Sequence, residues 1–194
     1  KVHGTVDMKS ALAYSCNCYF AALADEIGAG KLAKTMRQVG MDADSRFELE
    51  TSRNSIYLAK GATESELVET AIGQGRTGVT PLYMAMLASA FANDGMMMRP
   101  YIVDHVVYPD GTETKNTVPE KLTEICTAAE AATIRDMMVG VVSGGTGTAA
   151  SINGVTVAGK TGTAENATGY DHSWFIGFAP AENPKVAVAV VIEN

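Results

Sequence analysis

Two strand-forming segments near the C-terminal end, residues 173–180 and 186–193, are joined by Ala181-Glu182-Asn183-Pro184. Parallel neighbours need a crossover of about a dozen residues or more, usually helical, so this connection admits only an antiparallel hairpin. A third strand-like segment, residues 155–164, stands before them, and most of what precedes it has helical spacing. Asp7 is placed to cap a short helix over 8–14, and after an interruption at Ser15-Cys16-Asn17 the residues Phe20, Leu23, Ala24 and Ile27 repeat at helical intervals up to Gly28. Further helices are expected over 31–39, from the capping box Thr63-Glu64-Ser65-Glu66 to Ile72, over 82–91 behind Thr80-Pro81, and from the capping box at Thr127 to about Val142. The helix over 82–91 is apolar nearly all round and should be central. Residues 41–62 show neither period and read as a long loop of the kind that carries function or lies exposed. Residues 101–108 read as a strand followed by the turn Pro109-Asp110-Gly111-Thr112, and Gly144, Gly145 and Gly147 as a flexible connection. The fold class is therefore α+β, helices packed against an antiparallel sheet, in one domain over 1–194 with a helical part about 7–142 and strands about 154–194.

This arrangement decides between two motifs that overlap in Gly154-Val155-Thr156-Val157-Ala158-Gly159-Lys160-Thr161-Gly162-Thr163. From Gly154 the stretch satisfies G-x-x-x-x-G-K-T, the phosphate-cradling loop. That loop follows a strand and opens a helix at its Lys-Thr, whereas here strand formers fill the motif, glycine-rich sequence precedes it, and no helix follows. The match is an accident of pattern length. From Lys160 the stretch reads K-T-G, followed by Thr163. On an edge strand this presents a cation and two hydroxyls along one line, suited to a carboxylate, while Gly162 lets a substrate backbone come close. K-T-G alone, however, is equally an ordinary strand lysine beside a glycine.

Charge and composition exclude other classes. The net charge is −7 with no basic cluster, which argues against a nucleic-acid partner. Three cysteines (Cys16, Cys18 and Cys126) and three histidines form no ligand spacing, so no metal and no cofactor are expected, and Cys16 and Cys18 read as small buried hydrophobes. Asp171-His172-Ser173 spells a catalytic triad, but strand neighbours face opposite sides of a sheet. Asn166-Ala167-Thr168 matches a glycosylation acceptor that we discount, and Met96-Met97-Met98 reads as a packing segment. Gln74 and Arg76 sit in a glycine-rich loop, where composition does not separate a site role from loop geometry.

A second short motif, Ser15-Cys16-Asn17, completes a pattern. Together with "GQGRTGVTPLYMAMLASAFANDG", "AGKTGTAE" and "SWFIGFAPAENPKVAVAVVIEN", the stretch "SCNCYFAALADEIGAGKL" resembles the transpeptidase domain of penicillin-binding proteins, most closely the monofunctional class B type, in the expected order from about Val6 to Asn194. The resemblance implies the fold shared with serine β-lactamases and an acyl transfer that crosslinks peptidoglycan stem peptides ending in D-Ala-D-Ala. β-Lactams are the implied inhibitors, cell-wall synthesis proteins the implied partners, and no cofactor is implied. Ser15 would relay a proton toward the leaving group, Asn17 would position substrate and the catalytic lysine, and Lys160 would lend charge and tune Ser15. Thr161, Gly162 and Thr163 would hold the substrate, the two hydroxyls on its carboxylate and the Thr163 N–H as one of two oxyanion donors.

The family's S-x-x-K nucleophile motif has no counterpart: none of the serines at 10, 15, 45, 52, 55, 65, 89, 143, 151 and 173 has a lysine three residues on. The expectation is a fragment, itself inactive, of an enzyme whose nucleophile and membrane anchor lie outside residues 1–194. The full protein would then act at the extracytoplasmic face of the bacterial plasma membrane. A non-catalytic binding module of the same family is the alternative.

Overall fold

A computed structural model describes residues 3–58, 61–166 and 169–193. The ends of the expected 1–194 domain, residues 59 and 60 of the long loop, and Ala167 and Thr168 of the glycosylation triplet lie outside the described residues.

The short C-terminal connection has the consequence expected of it. Strand β6 (His172–Ala179) pairs antiparallel with β7 (Val186–Ile192), in register from Ser173↔Ile192 to Ala179↔Val186. Strand β5 (Ala158–Ala164) pairs antiparallel with β6 from Ala158↔Phe178 to Ala164↔His172, so the order is β5-β6-β7 and β5 lies at an edge. β5 begins later than the run of strand formers suggested. Val155 is drawn into a separate bridge with Ile152 through the left-handed turn at Gly154, leaving the ladder to start at Ala158.

Helix α5 (Pro81–Ala92) starts where Thr80 accepts a hydrogen bond from the Tyr83 N–H at 3.2 Å and Pro81 occupies the first turn. It packs against β6, β7 and helix α6 (Ala128–Gly144), while α6 covers β5. Ala88 and Ala158 are fully buried between these layers, with Met138, Phe178 and Ala181 around them. The small side chains let helix and sheet approach closely enough for Phe178 to be buried, a contribution of about 1.5–3 kcal/mol. A second cluster, built on Met41, Tyr83, Met86, Ala90 and Met97, lies on the other flank of α5. Burial there pushes the Tyr83 hydroxyl up to about 12, and it donates to the Val39 carbonyl at 3.2 Å.

The remaining helices are short and closed by their own ends. α1 (Met8–Ala13) is capped by Asp7, α2 (Asn17–Ile27) stops at Gly28, and α3 (Ala29–Gln38) starts directly after that glycine rather than at Lys31. α4 (Glu64–Ala71) and α6 both carry complete capping boxes, Thr63 with Glu66 and Thr127 with Glu130. α1 packs on α6, and α2 on α4.

Three expectations need correction. Met96–Met98 is a strand, β1, as well as a packing segment: it pairs with β4 (Lys121–Glu124) and buries Met97. Of residues 101–108 only His105–Val107 (β2) is a strand, paired with β3 (Glu113–Asn116) across the expected turn. The N–H groups of Ile102 and Val103 go instead to the Glu48 carboxylate, each at 2.9 Å, which takes the place of a partner strand. The glycines after α6 are sites of contact rather than slack. A Cβ on Gly145 would overlap the Ala13 carbonyl oxygen, and one on Gly147 would press on the Val141 side chain at 3.1 Å.

Gly144 and Gly145, adjacent in sequence, should therefore respond oppositely to alanine. A Cβ on Gly144 meets nothing within 4 Å. Gly144→Ala should leave stability unchanged or raise it by up to about 1 kcal/mol, through helix propensity. Gly145→Ala should cost about 2–3 kcal/mol by forcing α6 away from α1. Urea midpoints of the two variants check this contrast.

Candidate active site

The site begins where α1 ends. Ser15 sits between α1 and α2 with φ +53°, a left-handed conformation that is uncommon for residues with a side chain and costs of order 1–3 kcal/mol. It is held there by the Ser15 N–H to the Leu12 carbonyl (3.3 Å) and the Cys16 N–H to the Ala11 carbonyl (2.9 Å). Cys16 is buried and anchors the turn, leaving Ser15 and Asn17 exposed on either side of it. The reading of Cys16 and Cys18 as buried holds for Cys16, while Cys18 is exposed on the first turn of α2.

Lys160 lies on β5. Its Nζ donates to Ser15 Oγ at 3.0 Å and to the Thr161 carbonyl at 2.7 Å, closing a contact between residues 145 positions apart. Burial disfavours the charged amine and holds its pKa below the ordinary lysine range. Next along the strand, Thr161 Oγ1 is 2.6 Å from Thr146 Oγ1. Thr146 belongs to the glycine link after α6, and its N–H donates to the Ala13 carbonyl at 3.0 Å. The same short link thus touches the end of α1 and the hydroxyl row of β5. Thr163 is exposed, and its carbonyl accepts from Gln74 Nε2 at 2.9 Å.

The structure brings Ser15, Lys160 and Thr161 together, with Gly162 and Thr163 following on the same strand. Asn17 occupies the first position of α2, exposed and two residues from Ser15, and its carboxamide bonds neither Ser15 nor Lys160. Gly162 is exposed as expected, and a Cβ there would also press on Trp174 Cβ at 3.1 Å, so its bareness serves the sheet as well as the cleft. Lys160 and Thr161 stand in mid-strand, a geometry in which no phosphate loop forms. The sequence did not single out Thr146, and its only signal is adjacency to the glycines. A separate cavity of about 620 Å³ lies beneath the loop 42–54, against Tyr83 and Met97, and shares no lining residue with the Ser15–Lys160 cluster.

Chemically, this cluster combines a hydroxyl that already accepts a hydrogen bond from an amine, a half-buried amine able to lose a proton, and an edge strand bearing hydroxyls. Because Lys160 donates to the Ser15 oxygen, the Ser15 proton is left free to serve another acceptor. Such an arrangement can shuttle a proton beside a bound carboxylate.

The family model described as penicillin binding protein transpeptidase domain matches residues 1–194. Peptidoglycan D,D-transpeptidase PbpA of Mycolicibacterium smegmatis is 39% identical over 201 residues, which cover 98% of this chain and 39% of that protein. Peptidoglycan D,D-transpeptidase MrdA of Acinetobacter baumannii is 29% identical, over 99% of this chain and 32% of that protein. Among solved structures, the D,D-transpeptidase domain of a peptidoglycan glycosyltransferase from Eggerthella lenta superposes with a TM-score of 0.93 at 38% identity, covering all of this chain and 50% of that one. The imipenem acyl-enzyme complex of penicillin-binding protein A from M. tuberculosis superposes with a TM-score of 0.91 at 36% identity, covering all of this chain and 44% of that one. The chain spans well under half the length of these curated relatives, 39% of the first.

The burial of Lys160 has a measurable sign. Its amine should titrate below the ordinary lysine range in a side-chain NMR titration. Native Lys160 then releases its proton before the unfolded chain does, so stability rises with pH from the native midpoint up to about 10.4, where an unfolded lysine titrates. A Lys160→Met variant should lack that rise in denaturation measured across the alkaline range. A midpoint at or above the ordinary lysine value contradicts this account.

Proposed function

This chain belongs to the penicillin-binding protein transpeptidase domain family, of the class B kind and with that family's α+β fold, and from that premise we propose that it forms one wall of a peptidoglycan D,D-transpeptidase site. The observation that carries the proposal is the 3.0 Å bond from Lys160 Nζ to Ser15 Oγ, which joins the two short motifs into one cleft. No serine among the 194 residues has a lysine three positions on, so the reading assigns the attacking serine to sequence outside 1–194.

In this reading the attacking serine passes its proton to a base beside it as its oxygen bonds to the carbonyl carbon of the penultimate D-Ala. The resulting oxyanion is held by the Thr163 N–H and a second donor beside the nucleophile, and the base returns the proton when the acyl group leaves the serine. Ser15 passes its proton to the departing D-Ala amine as the C–N bond breaks and takes one from Lys160, restoring its hydroxyl. The acceptor amine of a second stem peptide then attacks the acyl-enzyme and returns a proton along the same path. Thr161 and Thr163 bind the terminal carboxylate, with Lys160 supplying positive field when protonated, and Asn17 orients the substrate amide. β-Lactams enter as mimics of D-Ala-D-Ala and stop at the acyl-enzyme. Several of the matched structures are themselves β-lactam complexes, which supports this part of the reading.

On this reading the reaction takes place at the extracytoplasmic face of the plasma membrane, alongside other proteins of wall synthesis. None of the helices among the described residues is long and apolar enough to cross a membrane, and the reading places the anchor elsewhere in the protein.

A fluorescent penicillin tests the proposal. A protein extended to include the attacking serine should be labelled at a serine outside residues 1–194, and the 194-residue chain should stay dark. Label on Ser15 contradicts the assignment, and an extended protein that also stays dark identifies a non-catalytic module. In the extended protein, Ser15→Ala should lower the acylation rate by about 10²–10⁴-fold, the usual range for losing a proton-transfer group, as followed by stopped-flow fluorescence.

A further inference from the structure

Gln74 lies in the stretch GQGRTGVTPLYMAMLASAFANDG, outside the Ser15-Cys16-Asn17 and Lys160-Thr161-Gly162 motifs, yet its side chain reaches β5. It follows α4 at a tightly determined helix end. The Gly73 N–H donates to the Thr70 carbonyl at 3.1 Å and the Gln74 N–H to the Glu69 carbonyl at 2.8 Å, with Gly73 left-handed at φ +78°. This is the paired C-terminal closure in which a left-handed glycine satisfies the last carbonyls. Gly75 is left-handed as well, so the chain turns on both sides of Gln74 and its side chain projects from a fixed base. The opposite end of α4 is closed by the Thr63–Glu66 capping box, and the helix packs on α2, the helix that begins at Asn17.

From that base the carboxamide makes two bonds to β5 and the residue just beyond it. Nε2 donates to the Thr163 carbonyl at 2.9 Å, and Oε1 accepts from the Glu165 N–H at 3.0 Å. A carbonyl and the N–H two residues later are the pair that a neighbouring strand would engage, so one side chain stands in for a strand at this edge. In an extended strand the N–H and carbonyl of one residue point to the same edge. The Thr163 N–H therefore faces outward beside the carbonyl that Gln74 holds. The Thr161 carbonyl, on the same edge, is held by Lys160 Nζ at 2.7 Å. The peptide plane carrying the Thr163 N–H thus lies between two planes that are each tied down by a side chain. Gly162, the residue between them, has the freest torsions of the strand.

We propose that Gln74 is a positioning residue for acyl transfer: by bonding the Thr163 carbonyl and the Glu165 N–H, it fixes the direction in which the Thr163 N–H meets the developing oxyanion. The inference rests on the acyl-transfer reading above. Glutamine suits the role because it offers an NH2 donor group and a carbonyl acceptor side by side on one planar group, matching the two backbone atoms it meets. Chain connectivity, the packing of α2 on α4 and hydrogen bonds together form a circuit, from Ser15 through α2 and α4 to Gln74, then along β5 to Lys160 and back to Ser15. The proton relay and the oxyanion donor are thereby held in one frame.

The test uses Gln74→Glu and Gln74→Ala in the extended protein, with β-lactam acylation resolved into the dissociation constant of the non-covalent complex and the first-order acylation rate constant. An ionised Glu has nearly the same shape and still accepts from the Glu165 N–H, but it cannot donate to the Thr163 carbonyl. Losing an oxyanion donor outright costs about 10²–10³-fold, and misaiming one should cost about 10–100-fold. Both variants should show that loss in the acylation constant, with the dissociation constant changed by less than about twofold, because the oxyanion exists only after attack. Thermal midpoints measured alongside should stay close to the wild-type value. Acylation by Gln74→Glu at the wild-type rate overturns the inference, as does a loss shared equally between affinity and rate and accompanied by a lowered thermal midpoint. A wild-type extended protein that takes no β-lactam overturns the acyl-transfer reading beneath it and the inference with it.

Discussion

The hydrogen bond from Lys160 to Ser15 joins a sheet edge to the junction of two helices across 145 positions of sequence, and much of the architecture serves to hold that length. Ser15 must adopt a left-handed backbone for its hydroxyl to meet the amine, a conformation the surrounding turn imposes and the buried Cys16 anchors. The helix carrying that turn, α1, must lie against the end of α6 at a distance that only a glycine at 145 permits. The same link then extends Thr146 to the hydroxyl of Thr161.

The chemistry of the amine follows from where the sheet places it. β5 is the outer strand, so one of its edges faces the cleft, while α6 covers the strand and buries Ala158 and Gly159 just before the lysine. Lys160 emerges at that boundary, buried enough to lose some preference for its charge and close enough to the opening to touch a hydroxyl. A fully buried amine would be sealed from substrate, and a fully exposed one would remain an ordinary ammonium. Past the lysine the strand becomes exposed at Gly162 and Thr163, where a peptide could lie along its outward groups.

The elements legible from the sequence were those determined by neighbours a few residues away. Capping boxes at Thr63 and Thr127, Asp7 before α1, Pro81 in α5 and the short connection between β6 and β7 all act locally, and the structure places each element where those signals do. The weaknesses lie where a distant partner decides. Residues 101–104 have strand composition, but Glu48 takes two of their N–H groups. Met96–Met98 is paired by β4, more than twenty residues on. Gly145 reads as slack until the Ala13 carbonyl is placed against it. In the site, Ser15 and Lys160 were recognisable because short motifs carry them. The contacts of Thr146 and Gln74 were not, because each is made to residues far along the chain and leaves no periodic trace.

The most direct test of the account is the structure of the extended protein acylated by a β-lactam. The account predicts the acyl carbonyl oxygen within hydrogen-bond distance of the Thr163 N–H, the ligand carboxylate on the hydroxyls of Thr161 and Thr163, and Ser15 between Lys160 and the leaving-group side. A ligand whose carbonyl and carboxylate both lie away from β5, with the Lys160–Ser15 contact broken, would contradict it.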